Sequence, residues 1–255
     1  MLSRTRRSSA GEKAVLLASL PLFFSLWEMV SRAGVVNTQL FPPPTAIAAA
    51  VWDWLQSGQL ALDLAMSLSR VIIGFVAGTA AGIAIGVLTA RFALVSNLLT
   101  PIFQILRPIP PIAFVPMVIL WFGLSEWGKY FLVFWGVFFT VWLATHLGVQ
   151  RVDPGLIRAA RMLGVPETRL SRHVLLPAAR PFIFVGVRTA VSIAFYTLVA
   201  AEVAGTFAGV AYRIDIAYQN LQIGQVMGSL LVLGFISALA DRAFTALSRT
   251  VVWWS

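Results

Sequence analysis

The chain has 255 residues, 59% hydrophobic and only 11% charged, with 19 Lys and Arg against 10 Asp and Glu. A soluble domain carries about 25% charged residues, so an ordinary water-solvated core is excluded and hydrocarbon is the solvent that suits this composition. The net charge of +9 does not point to nucleic acid, whose binders set their charge on a solvated face amid normal polar content; the absence of cysteine removes disulfide, thiolate-metal and thiol-nucleophile chemistry.

In chain order, Arg4, Arg6, Arg7 and Lys13 precede an apolar run, Ala14–Val30. A basic start before an apolar run resembles a signal peptide, but the run is nearly membrane-spanning and no A-x-A-like site closes it. It reads as a retained first helix behind a short tail, residues 1–13. Next come Pro42 to Pro44, with Thr45 placed to cap a short helix carrying Trp52 and Trp54. Tryptophans at headgroup depth suit a segment lying along the membrane surface. Five further apolar segments follow: Ser67–Ala90, Leu98–Phe122, Tyr130–Gly148, Phe182–Val203 and Val226–Ala246. Each approaches the roughly 20 residues a helix needs to cross hydrocarbon. The expected architecture is all-α and integral to the membrane, with about six transmembrane helices forming one domain over residues 14–255.

The segment "LRPIPPIAFVPMVILWFG" contains Pro108, Pro110, Pro111 and Pro116, each lacking a backbone donor. Broken helices are tolerated in membranes where protein or a water-filled cavity satisfies the freed groups. The segment therefore either lines a pathway or is a purely structural kink. The loop Gly205–Ile223, mixing Gly, Tyr and Gln, is read as a surface that approaches a partner protein.

Charge asymmetry gives the orientation. One side collects Arg4, Arg6, Arg7, Lys13, Arg91, Arg242, Arg249 and the basic stretch from Asp153 to Arg180; the other receives Arg32, Lys129 and Arg213. The first side is the inner one, with both termini cytoplasmic.

The stretch 153–180 is predicted to be a cytoplasmic hairpin of two short helices. Asp153 and Pro154 open the first, with the acid favourable at the positive end of the helix dipole. Leu156, Ala160 and Leu163 fall on one face, while Arg158 and Arg161 fall on another. Gly164 is placed to end it; Pro166 and Glu167 open the second helix, which Pro177 is expected to stop. A basic inner loop can merely follow the charge bias or bind anionic lipid. The small residues Ala159, Ala160 and Gly164 suit close docking of another protein instead.

Within or near the apolar segments lie Glu28, Arg70, Arg107, Arg188, Glu202 and Asp241. A charge in hydrocarbon costs about 2.5–3.5 kcal/mol on insertion scales, so each needs a partner or water. Arg70 and Asp241 read as segment-end residues. Arg107 and Arg188 are candidates for attracting an anion, and Glu202 for pairing with an arginine or forming a gate. Structural ion pairing is the competing role for each. His146, beside Thr145, is read as an interhelical contact rather than a metal ligand.

The pattern "RAARMLGVPETRLSRHVLLPAARP" resembles the E-A-A loop of bacterial binding-protein-dependent ABC importer permeases, matching at Ala159, Ala160, Gly164, Leu176 and Pro177. "SLSRVIIGF", "LRPIPPIAFVPMVILWFG" and "VAAEVAG" look like the nitrate/sulfonate/taurine branch of that family. The resemblance implies a type I importer permease fold in the bacterial inner membrane, with the hairpin as a coupling helix. Leu156, Arg158, Ala159, Ala160, Leu163, Gly164 and Pro177 would dock on an ABC ATPase subunit. Arg107, Pro108, Pro110, Pro111, Arg188 and Glu202 would be candidates for the translocation pathway. The implied partners are ATPase subunits carrying ATP and Mg, a periplasmic substrate-binding protein, a second permease copy as homodimer or heterodimer, and membrane lipid. The chain itself would hold no cofactor and no metal, and would carry no catalysis. It departs from the pattern at Arg158, which replaces the usual glutamate.

No P-loop of the G-x-x-x-x-G-K-[ST] kind occurs, so ATP chemistry would belong to the partner. The alternative is an ion-gradient-driven secondary transporter, which favours midplane coupling acids and internal repeats. Glu202 is the one plausible deep acid. A membrane enzyme needs a convergent catalytic cluster, and a passive channel leaves the hairpin unexplained.

Overall fold

The computed structural model describes residues 10–203 and 205–251, with side chains from Ala18 onward except those of residues 168, 247 and 249–251. Residues 1–9, with Arg4, Arg6 and Arg7, lie outside the described part, as do the side chains of Lys13 and Arg249. The described residues are about 84% helical. Among the described residues eleven α-helices follow in order: α1 Ala10–Arg32, α2 Pro44–Gln56, α3 Gln59–Arg91, α4 Ala93–Leu106, α5 Val115–Phe122, α6 Glu126–Gln150, α7 Pro154–Met162, α8 Glu167–Leu170, α9 Leu176–Val203, α10 Val210–Gln219 and α11 Ile223–Val251.

Among the described residues four helical stretches are long and apolar enough to cross a membrane: Gln59–Arg91, Glu126–Gln150, Ser171–Val203 and Ile223–Ala246. A fifth candidate is the pair Ala93–Leu106 and Pro111–Phe122, bent by 89°. The remaining expected span, Ala14–Val30, falls in α1, whose side chains are described only from its ninth residue. Phe23, Leu26 and Met29 on α1 are exposed, as lipid-facing residues are.

The central helix is α6, packed between α3 and α9. Its Leu132, Val133, Val137 and Val141 are completely buried. The contact with α3 is set by four glycines at four-residue spacing. A Cβ on Gly74 would lie 2.6 Å from Val133 Cβ, one on Gly78 2.9 Å from Val137, one on Gly82 2.9 Å from Val141, and one on Gly86 2.6 Å from Thr145. Hydrocarbon gives helices no hydrophobic reason to associate, so close backbone approach through small residues holds them together. On the α9 side, Gly186 meets Ala144 and Gly148 meets Phe182 in the same way.

Three local expectations are corrected. Thr45 is not the cap of α2: Pro43 holds that position, and Thr45 donates through its N–H and hydroxyl to Glu28 of α1. Pro177 does not stop the hairpin's second helix. A π-turn at Ser171–Leu175 widens the coil there, with Leu176 N–H reaching Ser171 C=O, and the helix runs on into α9. The wider turn leaves room for a proline ring that an α-helix would crowd. Finally, the loop 205–223 contains a helix, α10, joined closely to α11.

Candidate functional site

At one end of the bundle the hairpin forms as its residues dictate. Asp153 Oδ1 accepts the Gly155 N–H at 2.7 Å, capping α7. At the other end of α7, Gly164 takes φ +77°, with Val165 N–H on Ala160 C=O and Gly164 N–H on Arg161 C=O. This pair of bonds is a Schellman motif, and the left-handed residue explains the glycine. A Cβ there would touch nothing, so conformation rather than space requires it. Glu167 then ties the hairpin together: Arg161 Nε donates to Oε1 at 2.7 Å, and Arg91, at the end of α3, bonds its carboxylate, its C=O and the Ser171 hydroxyl. The Arg161 hydrogen bond holds the Glu167 carboxyl below the usual carboxylate range, so the clamp is fully charged at neutral pH.

The expected apolar face of α7 divides. Ala160 is buried, and Ile157 packs on the main core. Leu156 is exposed, Leu163 is 84% exposed and its neighbour Met162 is 87% exposed. Arg158 and Ala159 are also exposed, whereas Pro177 is half-buried in α9. The tip is thus an apolar foot ringed by arginines, tied through Glu167 and Ser171 to Arg91 at the end of α3.

The opposite end carries a buried charge network, of which the sequence marks one member, Glu202, for an arginine partner. Arg70, expected near a segment end, is 0% exposed. Its Nε and Nη2 donate to Glu126 at 2.7 and 2.8 Å, while Nη1 donates to Glu202 at 2.8 Å and to the Ala208 C=O at 2.7 Å. Glu202 also accepts from Ser67 and from the Ala211 N–H. Asp63 accepts from the Gly209 N–H, the Trp54 indole and Arg213. The N–H groups of Gly209, Val210 and Ala211, which open α10, are therefore held by Asp63, Ser67 and Glu202. A Cβ on Gly209, at φ +143°, would collide with the Glu202 carboxylate. Glu202 is locked in this network and lines neither of the two mid-bundle cavities.

In the first of those cavities, open and about 620 Å³ in volume, Arg188 and Asp241 meet in a bidentate pair, 3.0 and 2.9 Å, near Tyr196. Arg107, Pro108, Pro110 and Pro111 line the second, of about 250 Å³, reached past the same Tyr196 and Ile193. The prolines form the bend between α4 and α5. His146 joins Thr89 at 2.9 Å and Gln150 at 3.0 Å, with the Trp142 indole donating to Thr89: an interhelical contact. No group of three or more His, Asp or Glu suited to a metal occurs among the described residues.

This fold has known relatives. Residues 78–251 match the family described as binding-protein-dependent transport system inner membrane component. The chain belongs to that family. It is similar to the putative aliphatic sulfonates transport permease of Escherichia coli, 34% identical over 91% of this chain and 88% of the relative. It also resembles the taurine transport system permease of the same organism, at 30% over 99% and 91%. A nitrate import permease of Synechocystis matches at 31% over 76% and 70%. Among solved structures, a methionine ABC transporter in inward-facing conformations aligns with TM-score 0.59 and 22% identity, covering 79% of this chain and 98% of that one. An amino acid ABC transporter gives 0.60 and 17%, covering 77% and 94%. The fold of this inner-membrane component is that of ABC importer permeases.

Proposed function

We propose that this chain is the permease subunit of an ATP-driven importer for a small anion of the nitrate, taurine or alkanesulfonate class. The observation that carries the reading is the foot: Leu156, Met162 and Leu163 exposed on a basic hairpin clamped through Glu167 to Arg91. Apolar side chains held in this way have no role within the chain and match a protein surface. The occupant is an ABC ATPase subunit, which supplies ATP and Mg and carries the hydrolysis. Arg158, in place of the usual glutamate, calls for an acid in its groove.

Two permease bodies, each spanning residues 14–255 behind a tail at 1–13, enclose one pathway. The hairpin side is cytoplasmic, together with both termini, and a periplasmic binding protein delivers solute at the Arg70 end. Closure of the ATPases pushes the two feet, and the clamp at Arg91 passes that push into α3. Arg107, the proline bend and the Arg188 face line the route; Glu202 serves it indirectly, by holding α10 in place.

The chain contains no cysteine, which makes a single reporter clean. In the assembled complex, Leu163→Cys is expected to react with a membrane-impermeant thiol reagent only from the cytoplasmic side. It should also cross-link to a cysteine in the ATPase groove. Labelling from the periplasmic side refutes the orientation, and an absence of cross-link at any groove position refutes the docking.

A further inference from the structure

The cavity at the proline bend has a donor set that selects charge. It is lined by Arg107, Trp135, Thr140, Tyr196 and Thr197 with the prolines, and contains no acidic residue. Trp135 and Thr140 stand 9 and 14 residues into α6, about 14–21 Å along its axis at 1.5 Å per residue. This is mid-depth for a hydrocarbon layer of about 30 Å.

Arg107 is exposed on the cavity. Arg70, Arg188 and Arg213 each have a carboxylate within 4.0 Å; Arg107 has none among the described residues. A guanidinium at this depth is costly unless water or an anion faces it. Two further donors border the same space. The Trp135 indole N–H is buried with no acceptor, and Tyr196, on the wall of the cavity, is 66% exposed, with its hydroxyl not engaged by any described residue. A buried orphan donor is rare in a finished structure and calls for an acceptor. Thr140 and Thr197 donate their hydroxyl hydrogens to carbonyls of their own helices, and Thr197 is fully buried, so neither adds a donor to this space. The neighbouring cavity offers no such charge, because Asp241 neutralises Arg188 with two hydrogen bonds.

We infer that the Arg107 cavity is an anion subsite within the membrane, taking the oxyanion head of the solute on Arg107, Tyr196 and Trp135. The inference rests on the importer reading above and adds to it a residue that sets charge preference. Its volume, about 250 Å³, lies below the 300–1,000 Å³ of sites for drug-sized ligands and fits a small oxyanion. The Arg188 cavity, electrically balanced, is a vestibule that shares Tyr196 as a partition.

The test uses the complete complex of permease, ATPase and binding protein in liposomes. The probes are nitrate and methanesulfonate, and uptake is read per assembled complex, with ATPase co-purification as the assembly control. Arg107→Gln is expected to lower uptake at least tenfold, and Arg107→Lys to recover part of it. Tyr196→Phe, which keeps the fold and the charge, should lower uptake by a smaller factor. Uptake within twofold of the parent for both Arg107→Gln and Tyr196→Phe overturns the subsite while the importer stands. Should Arg107→Gln fail to assemble, unchanged uptake in Tyr196→Phe and Trp135→Phe together overturns it. A parent complex that assembles but takes up neither probe with ATP overturns the subsite and the anion-importer reading beneath it.

Discussion

Arg70 shows how a charge is held inside an apolar bundle. Five hydrogen bonds, to Glu126, Glu202, Thr206 and the Ala208 C=O, surround a side chain with no solvent exposure. Within this network Asp63, Glu126 and Glu202 face Arg70, Lys129 and Arg213, so the charges balance. Removing one partner of a buried pair leaves the other uncompensated, at about 3–5 kcal/mol. Arg70→Gln should therefore lower the unfolding midpoint of the purified protein sharply and free the 205–210 segment to proteolysis. Glu202→Gln together with Arg70→Gln should recover part of the loss. A single variant with unchanged midpoint would show that the network is ornamental. The sequence marks Glu202 for an arginine partner but places Arg70 at a segment end, because the apolar run to either side hides how far α3 extends. Partners 56 and 132 residues away cannot be paired by spacing alone.

At the scale of elements, the α3–α6 seam depends on glycine. Gly82 faces the backbone of α6, with Phe138 C=O and Trp142 N–H each 3.0 Å from where its Cβ would stand. Gly82→Leu forces the two helices apart, and overpacking of this kind costs about 1–3 kcal/mol or more. Thermal unfolding of the variant in detergent should show a clear drop, and an unchanged midpoint would contradict the packing described. The four-residue repeat at Gly74, Gly78, Gly82 and Gly86 stands openly in the sequence and is the signal that could have identified this seam in advance. The apolar segments and the hairpin are legible because hydropathy and caps are local signals. Less legible are Pro177, whose effect is absorbed by a π-turn, and α10, whose start is held by side chains from α3 and α9 rather than by its own cap. The division of α7 into buried Ala160 and exposed Leu163 is also hidden, since periodicity marks a face without saying what covers it.

Across the whole molecule, the features fall into three levels along one axis. The foot is at one end, the Arg107 and Arg188 cavities are in the middle, and the Arg70 network is at the other end. α3 joins the extremes, carrying Arg91 at the foot and Asp63, Ser67 and Arg70 at the far network, with the glycine seam between them. One 33-residue helix thus connects the hairpin with the opposite end. The buried acids of the far network are all bound to cations, which suits a structural lock rather than a proton-coupled carrier.

The most direct measurement is uptake into liposomes of purified permease, with and without its ATPase and binding protein. Anion accumulation is predicted only with both partners and ATP, collapsing when the foot is removed by Leu163→Asp with Met162→Asp. Accumulation at the full rate by the permease alone, driven by an ion gradient, would contradict an ATP-driven importer.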